Sequence, residues 1–214
     1  MARPKFAVGE FYHVYNRGTE KRSIFRSQED LDRFLQSMTE FNCMRPIGSI
    51  YESSFLKEGI RKKRQQKKLL NIICYCLNHN HYHLVLEQLV DGGISEFMRR
   101  VGTGYTQYFN LQNKRNGVLF QGKFKATYIN SNEYLLHVSA YVNLNHKIHS
   151  LGNRIAKSSW GEYMGEKQAA ICSKDIILNQ FKNNKEYEEF AISSLIDIQE
   201  RKKQEKDLEK LLLE

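Results

Sequence analysis

The chain has 214 residues, 41% of them hydrophobic, and a formal net charge of +9. That is enough for one domain with an appendage and a buried core, in an ordinary soluble protein. No apolar run approaches the ~20 residues of a bilayer-crossing helix, and the start Met1-Ala2-Arg3-Pro4-Lys5 leads into mixed polar sequence without a secretory apolar region, so a cytoplasmic location and no membrane partner are expected.

Residues 11–15 alternate aromatic with other side chains and stop at Asn16-Arg17-Gly18, which predicts a first strand and turn. Leu31, Phe34, Leu35, Met38 and Phe41 recur at helical spacing and predict a helix over 29–42. Residues 57–68 then gather Lys57, Arg61, Lys62, Lys63, Arg64, Lys67 and Lys68 around one acid, Glu58, which reads as a solvated face or as a polyanion contact. The apolar run 69–77 predicts a buried strand, and 81–87 its continuation or partner, an α+β pattern.

Cys74 and Cys76 stand at even positions, whereas His79, His81 and His83 are odd. On one regular strand the two sets take opposite faces, which argues against a thiolate and imidazole zinc site and for cysteines acting as small buried hydrophobes. His81 and His83 share a face and can share a cation, although such a pair can also be satisfied core or surface residues. His79 has the same parity.

Ile94, Phe97, Val101, Tyr105, Tyr108 and Leu111 predict a helix over 94–112, and Asn116-Gly117 a turn into a strand over 118–129. Lys123 and Lys125 share one face of that strand. A third helix, 133–145, carries Tyr141 and Asn145 at i and i+4, so a phenol and an amide share one helical face. Of the twelve tyrosines, Tyr105, Tyr108, Tyr128 and Tyr134 read as packing residues. Beyond residue 152 the pattern weakens: 158–165 reads as an irregular packing segment, 176–181 and 187–198 as short helices, and 200–214 as a surface or partner-binding helix.

Residues 185–214 hold 6 basic and 9 acidic side chains, so their −3 leaves +12 on residues 1–184. A basic body of this size favours a polyanion partner. Arg17, Arg99, Arg100, Lys123 and Lys125 are candidate phosphate contacts.

Several blocks together carry a family resemblance. They are residues 9–18 (Gly-Glu-Phe-Tyr-His-Val-Tyr-Asn-Arg-Gly), Cys76-Leu77, Asn80-His81-Tyr82-His83-Leu84, residues 105–110, residues 117–124 and Tyr141-Val142-Asn143-Leu144-Asn145. In this order they resemble the HUH single-strand transposases, and within them the REP-associated tyrosine transposases, over roughly residues 8–152. The chain departs from that pattern in having Asn78-His79 where the family usually has Met-Pro, and Asn145-His146 where it has Asn-Pro. His79 is thereby a second candidate for the third metal ligand.

The resemblance implies a ferredoxin-like α+β fold, an antiparallel sheet with helices packed on one face, here with a helical C-terminal extension. It implies a catalytic domain over 1–152 and an extension over 153–214. The implied substrate is single-stranded or hairpin DNA, handled by a monomer or homodimer. In the implied chemistry His81, His83 and Asn145 hold Mg²⁺ or Mn²⁺, and Tyr141 attacks the scissile phosphate to form a 5′-phosphotyrosine. The competing expectations are a replication or mobilisation relaxase, a nucleic-acid-binding module without cleavage activity, and a metal-dependent hydrolase that leaves no protein-linked DNA.

Overall fold

The computed structural model describes residues 4–60, 67–148, 155–166 and 171–211. Strand β1 (Phe11–Arg17) is followed by helix α1 (Gln28–Phe41), a short α2 (Ile50–Ser54), the hairpin β2 (Leu70–Asn78) and β3 (His81–Gln88), α3 (Gly93–Gln112), β4 (Lys125–Ile129) and α4 (Asn132–Ile148). After these come β5 (Ala156–Ser158), short helices α5 (Trp160–Tyr163) and α6 (Asp175–Leu178), and the long α7 (Asn184–Leu211). Among the described residues the strands form one five-stranded sheet in the order β4-β1-β3-β2-β5, and every pairing is antiparallel. The first four strands and the crossovers through α1 and α3 give the expected ferredoxin-like α+β arrangement.

Alternation along β1 and β3 sends Tyr12, Val14, Tyr82, Leu84 and Leu86 to one side of the sheet, where they pack with Leu31, Phe34 and Met38 of α1 and Ile94, Phe97 and Val101 of α3. The opposite side is also apolar, with Ile73, Cys74, Cys76, Val85 and Ile129 under Leu135, Val138 and Val142 of α4. Helices therefore cover both faces, not the one face expected, because the central strands offer apolar side chains to both. Helix α4 is buried twice over, since Tyr187, Ala191 and Leu195 of α7 join its cluster.

Several boundaries differ from the sequence reading. Strand β4 is only five residues long, and residues 118–124 form an irregular approach bridged by Gly18 and Phe120. Leu111 is exposed rather than on the packed side of α3, and Tyr128 and Tyr134 are exposed as well. Ala156–Ser158, inside and beside the segment read as irregular, adds an edge strand to β2. The expected domain division at residue 152, and Arg61, Lys62, Lys63 and Arg64 of the basic run, lie outside the described residues.

Gly18 ends β1 where no side chain fits, since a Cβ there would stand 2.3 Å from the Arg22 carbonyl oxygen. Its N–H donates to the Asn80 carbonyl at 2.9 Å, fastening the end of β1 to the β2–β3 turn. The hydroxyl of buried Tyr105 donates to the Ile24 carbonyl at 2.6 Å and fixes the same corner from α3.

Candidate active site

Cross-strand partners share a face, so the register lays out the site row by row. One row runs Lys125, Tyr15, His83, Cys76 and Ser158, and the next Arg17, His81, Asn78 and Ala156. The parity argument that separated the cysteines from the histidines therefore fails. His79 and Asn80 form the hairpin turn, and crossing it pairs even positions of β2 with odd positions of β3. Cys76 lies beside His83, buried, with burial pushing its thiol up to about 12. The same turn removes His79 from the strand, so the shared parity that made it a candidate ligand does not apply.

Helix α4 crosses this face and sets the Tyr141 ring 5.6 Å from that of His83 and 6.1 Å from that of His13. Burial raises the Tyr141 phenol above its ordinary value, and the nearby Asn145 side chain pulls the other way. One turn further on, Asn145 is fully buried. Its Oδ1 accepts from Asn78 Nδ2 at 2.7 Å and stands 3.4 Å from His81 Nε2, while its Nδ2 is buried without a hydrogen-bond partner. The four side chains His81, His83, Tyr141 and Asn145 are thus brought together from a strand and a helix.

Both imidazoles are engaged through Nδ1. His81 Nδ1 meets Asn80 Oδ1 at 2.6 Å, and His83 Nδ1 meets His13 Nε2 at 2.9 Å. The ring of His13 is held down to a pKa of about 4 by burial. The donor set available toward a cation is two imidazoles and an amide oxygen. Among the described residues no group of three or more His, Cys, Asp or Glu is placed to hold a metal ion. Mixed N/O donors of this kind suit Mg²⁺ or Mn²⁺, and Asn145 Oδ1 and His81 Nε2, 3.4 Å apart, converge on one position. The residues fit the group.

His81, His83 and Tyr141 open into a cleft of about 780 Å³ that also includes Arg17, Lys21, His79, Gln121 and Lys125, with Asn145 buried behind it. Arg17 is exposed and its Nε donates to the Gln121 side chain. Lys123 and Arg99 do not share this cleft. They border a neighbouring one of about 560 Å³ between α3 and residues 118–124, with Phe120 and Phe124, and only Asn16 and Tyr82 line both. Lys123 lies outside β4, which is why it does not share the strand face of Lys125.

Arg100 is a fold residue. Its side chain is 8% exposed, and its guanidinium donates to the Cys43 carbonyl at 2.6 Å and the Phe41 carbonyl at 3.4 Å and pairs with Glu96 at 2.7 Å. It clamps the C-terminal end of α1 to α3 and is withdrawn from the phosphate contacts. Arg99 stays exposed, bonded to the same Glu96 at 2.7 and 2.8 Å.

His13, Tyr15, Lys21 and Asn78 were missed in the sequence. The alternation of β1 puts His13, Tyr15 and Arg17 on one face, but only the strand register reveals that this face belongs to the histidine pair.

The sequence model of one family, described as Transposase IS200 like, matches residues 11–145, more than half of the chain. The solved structure described as the REP-associated tyrosine transposase bound to a REP hairpin is similar with a TM-score of 0.52, covering 80% of this chain and 88% of that one at 13% identity. No curated protein matches the chain.

Proposed function

The chain belongs to the IS200-like transposase family, and from that premise we propose that it cuts and rejoins single-stranded DNA folded as a hairpin, with Tyr141 as nucleophile. The observation that carries this reading is the Tyr141 phenol set against the His81 and His83 imidazoles in a cleft edged by Arg17, Lys21 and Lys125. The hairpin substrate is carried over from the similar solved structure, which is bound to a REP hairpin.

In this reading the cations of the cleft neutralise backbone phosphates and orient the strand. The Tyr141 oxygen attacks the scissile phosphorus, a new P–O(Tyr) bond forms and the P–O3′ bond breaks. The phenolic proton leaves to solvent as the departing 3′ oxygen takes one up, which gives a 5′-phosphotyrosine and a free 3′-hydroxyl. Because the bond energy is kept in the ester, a later 3′-hydroxyl reverses the step and rejoins DNA without a nucleotide cofactor. Mg²⁺ or Mn²⁺ held by His81, His83 and Asn145 would supply charge neutralisation at the phosphate. Asn145 has a second task, since its side-chain amide, with no hydrogen-bond partner at Nδ2, lies near the Tyr141 hydroxyl and offsets part of the burial that disfavours ionisation.

The test is adduct formation. A labelled hairpin with single-stranded flanks, incubated with the protein and Mg²⁺ or Mn²⁺, should give a denaturation-resistant protein–DNA band that EDTA prevents and plain duplex does not produce. Cleavage without any covalent band would favour a hydrolase, and hairpin binding without cleavage a binding module.

A further inference from the structure

The two imidazoles on β3 are alike in one respect: each is held at Nδ1, His81 by the Asn80 side-chain oxygen at 2.6 Å and His83 by Nε2 of His13 at 2.9 Å. For His81 this settles the proton. An amide oxygen only accepts, so Nδ1 carries the hydrogen, and Nε2 accepts from Asn78 Nδ2 at 2.9 Å. For His83 the partner is another imidazole, and either ring can donate. The choice matters, because a proton on His83 Nε2 would leave no lone pair there for a cation.

We propose that His13 is a positioning residue for the cation site, accepting the Nδ1 hydrogen of His83 so that Nε2 of His83 is the nitrogen presented to the metal. This rests on the reading of His81, His83 and Asn145 as ligands. The geometry supports it in two further ways. The His13 and His83 rings lie 5.1 Å apart with an interplanar angle of 23°, so the contact fixes the orientation of the His83 ring as well as its tautomer. His13 also comes from β1, on the opposite side of β3 from the Asn78 strand, so β3 is braced from both neighbours. Outer partners of ligating histidines commonly act in this way, and their loss typically costs ~10- to 100-fold in metal affinity.

The experiment uses the full chain labelled with ¹⁵N-histidine. Two-bond ¹H–¹⁵N spectra of the metal-free protein read the His83 tautomer, and titration with Mn²⁺ followed by electron paramagnetic resonance reads affinity. The wild type should carry the His83 proton on Nδ1. His13→Leu should weaken Mn²⁺ binding ~10- to 100-fold while hairpin binding in EDTA persists. His13→Gln, whose side-chain oxygen can accept near the former Nε2, should recover most of the affinity.

A wild-type His83 protonated on Nε2, a Leu variant that binds Mn²⁺ like wild type, or a folded Gln variant as weak as Leu would overturn the proposal. If His13→Leu does not fold, the wild-type tautomer and the Gln variant still decide. A wild type that binds no Mn²⁺ would instead sink the ligand reading on which this one stands.

Discussion

Oδ1 of Asn145 stands 3.4 Å from Nε2 of His81, 64 positions away in sequence, and Asn78 Nδ2 lies between them, 2.7 Å from the first and 2.9 Å from the second, so the tyrosine-bearing helix meets the histidine strand. In the proposed chemistry this approach lets residues from two elements act on one phosphate. His81→Ala, His83→Ala and Asn145→Ala should each remove metal-dependent cleavage, and Mg²⁺ or Mn²⁺ added after EDTA should restore the wild type alone. Asn145→Ala should be worse than His79→Ala, because His79 sits in the turn. Cleavage rates in a gel assay give the ranking, and the reverse order would make His79 the ligand.

Placement separates the basic residues into groups with different expected effects. Arg17 and Lys125 share the cleft of Tyr141. Reversing both charges should reduce the slope of log K against log salt by about 1–2, given about 0.7 per single-strand phosphate contact. Lys123→Glu should act separately, through the neighbouring cleft. An unchanged slope in the double variant would remove Arg17 and Lys125 from the DNA path.

Arg100→Ala should leave that slope unchanged and lower stability instead. Its buried guanidinium serves carbonyls at the end of α1, and hydrogen bonds to a charged group contribute about 1.5–3 kcal/mol. Denaturant unfolding checks this; a variant of wild-type stability would contradict the clamp.

Acid should loosen the same clamp. Hydrogen bonding from Arg99 and then Arg100 holds the Glu96 carboxyl down at about 2. A carboxyl depressed on folding stabilises above its unfolded value, near 4.5, and loses that contribution as pH falls toward the folded one. The melting temperature of wild type over Glu96→Gln should therefore shrink as pH drops from about 4.5 to about 2. A difference constant with pH would show that the ion pairs contribute nothing.

Much of this fold was legible because its signals are local. The helical spacing of Leu31, Phe34, Leu35 and Met38 and the pairing of Tyr141 with Asn145 depend only on neighbours along the chain. What was not legible depends on register. Cys76 was assigned to the wrong face because a two-residue turn reverses parity across the hairpin, and His13 was overlooked because nothing in β1 announces its partner strand. Arg100 looked like any surface cation next to Arg99, and only the approach of α1 to α3 turns it inward. Ala156–Ser158 is too short to carry an alternation of its own and is a strand because β2 has an open edge.

The central claim is that Tyr141 becomes covalently joined to DNA. Peptide mapping by mass spectrometry of the adduct formed on a hairpin substrate should find the nucleotide on Tyr141, and Tyr141→Phe should give no adduct while binding the hairpin nearly as wild type does, since only a hydroxyl is lost. An adduct that persists in Tyr141→Phe, or that maps to Tyr15, Tyr105 or Tyr134, would contradict the account.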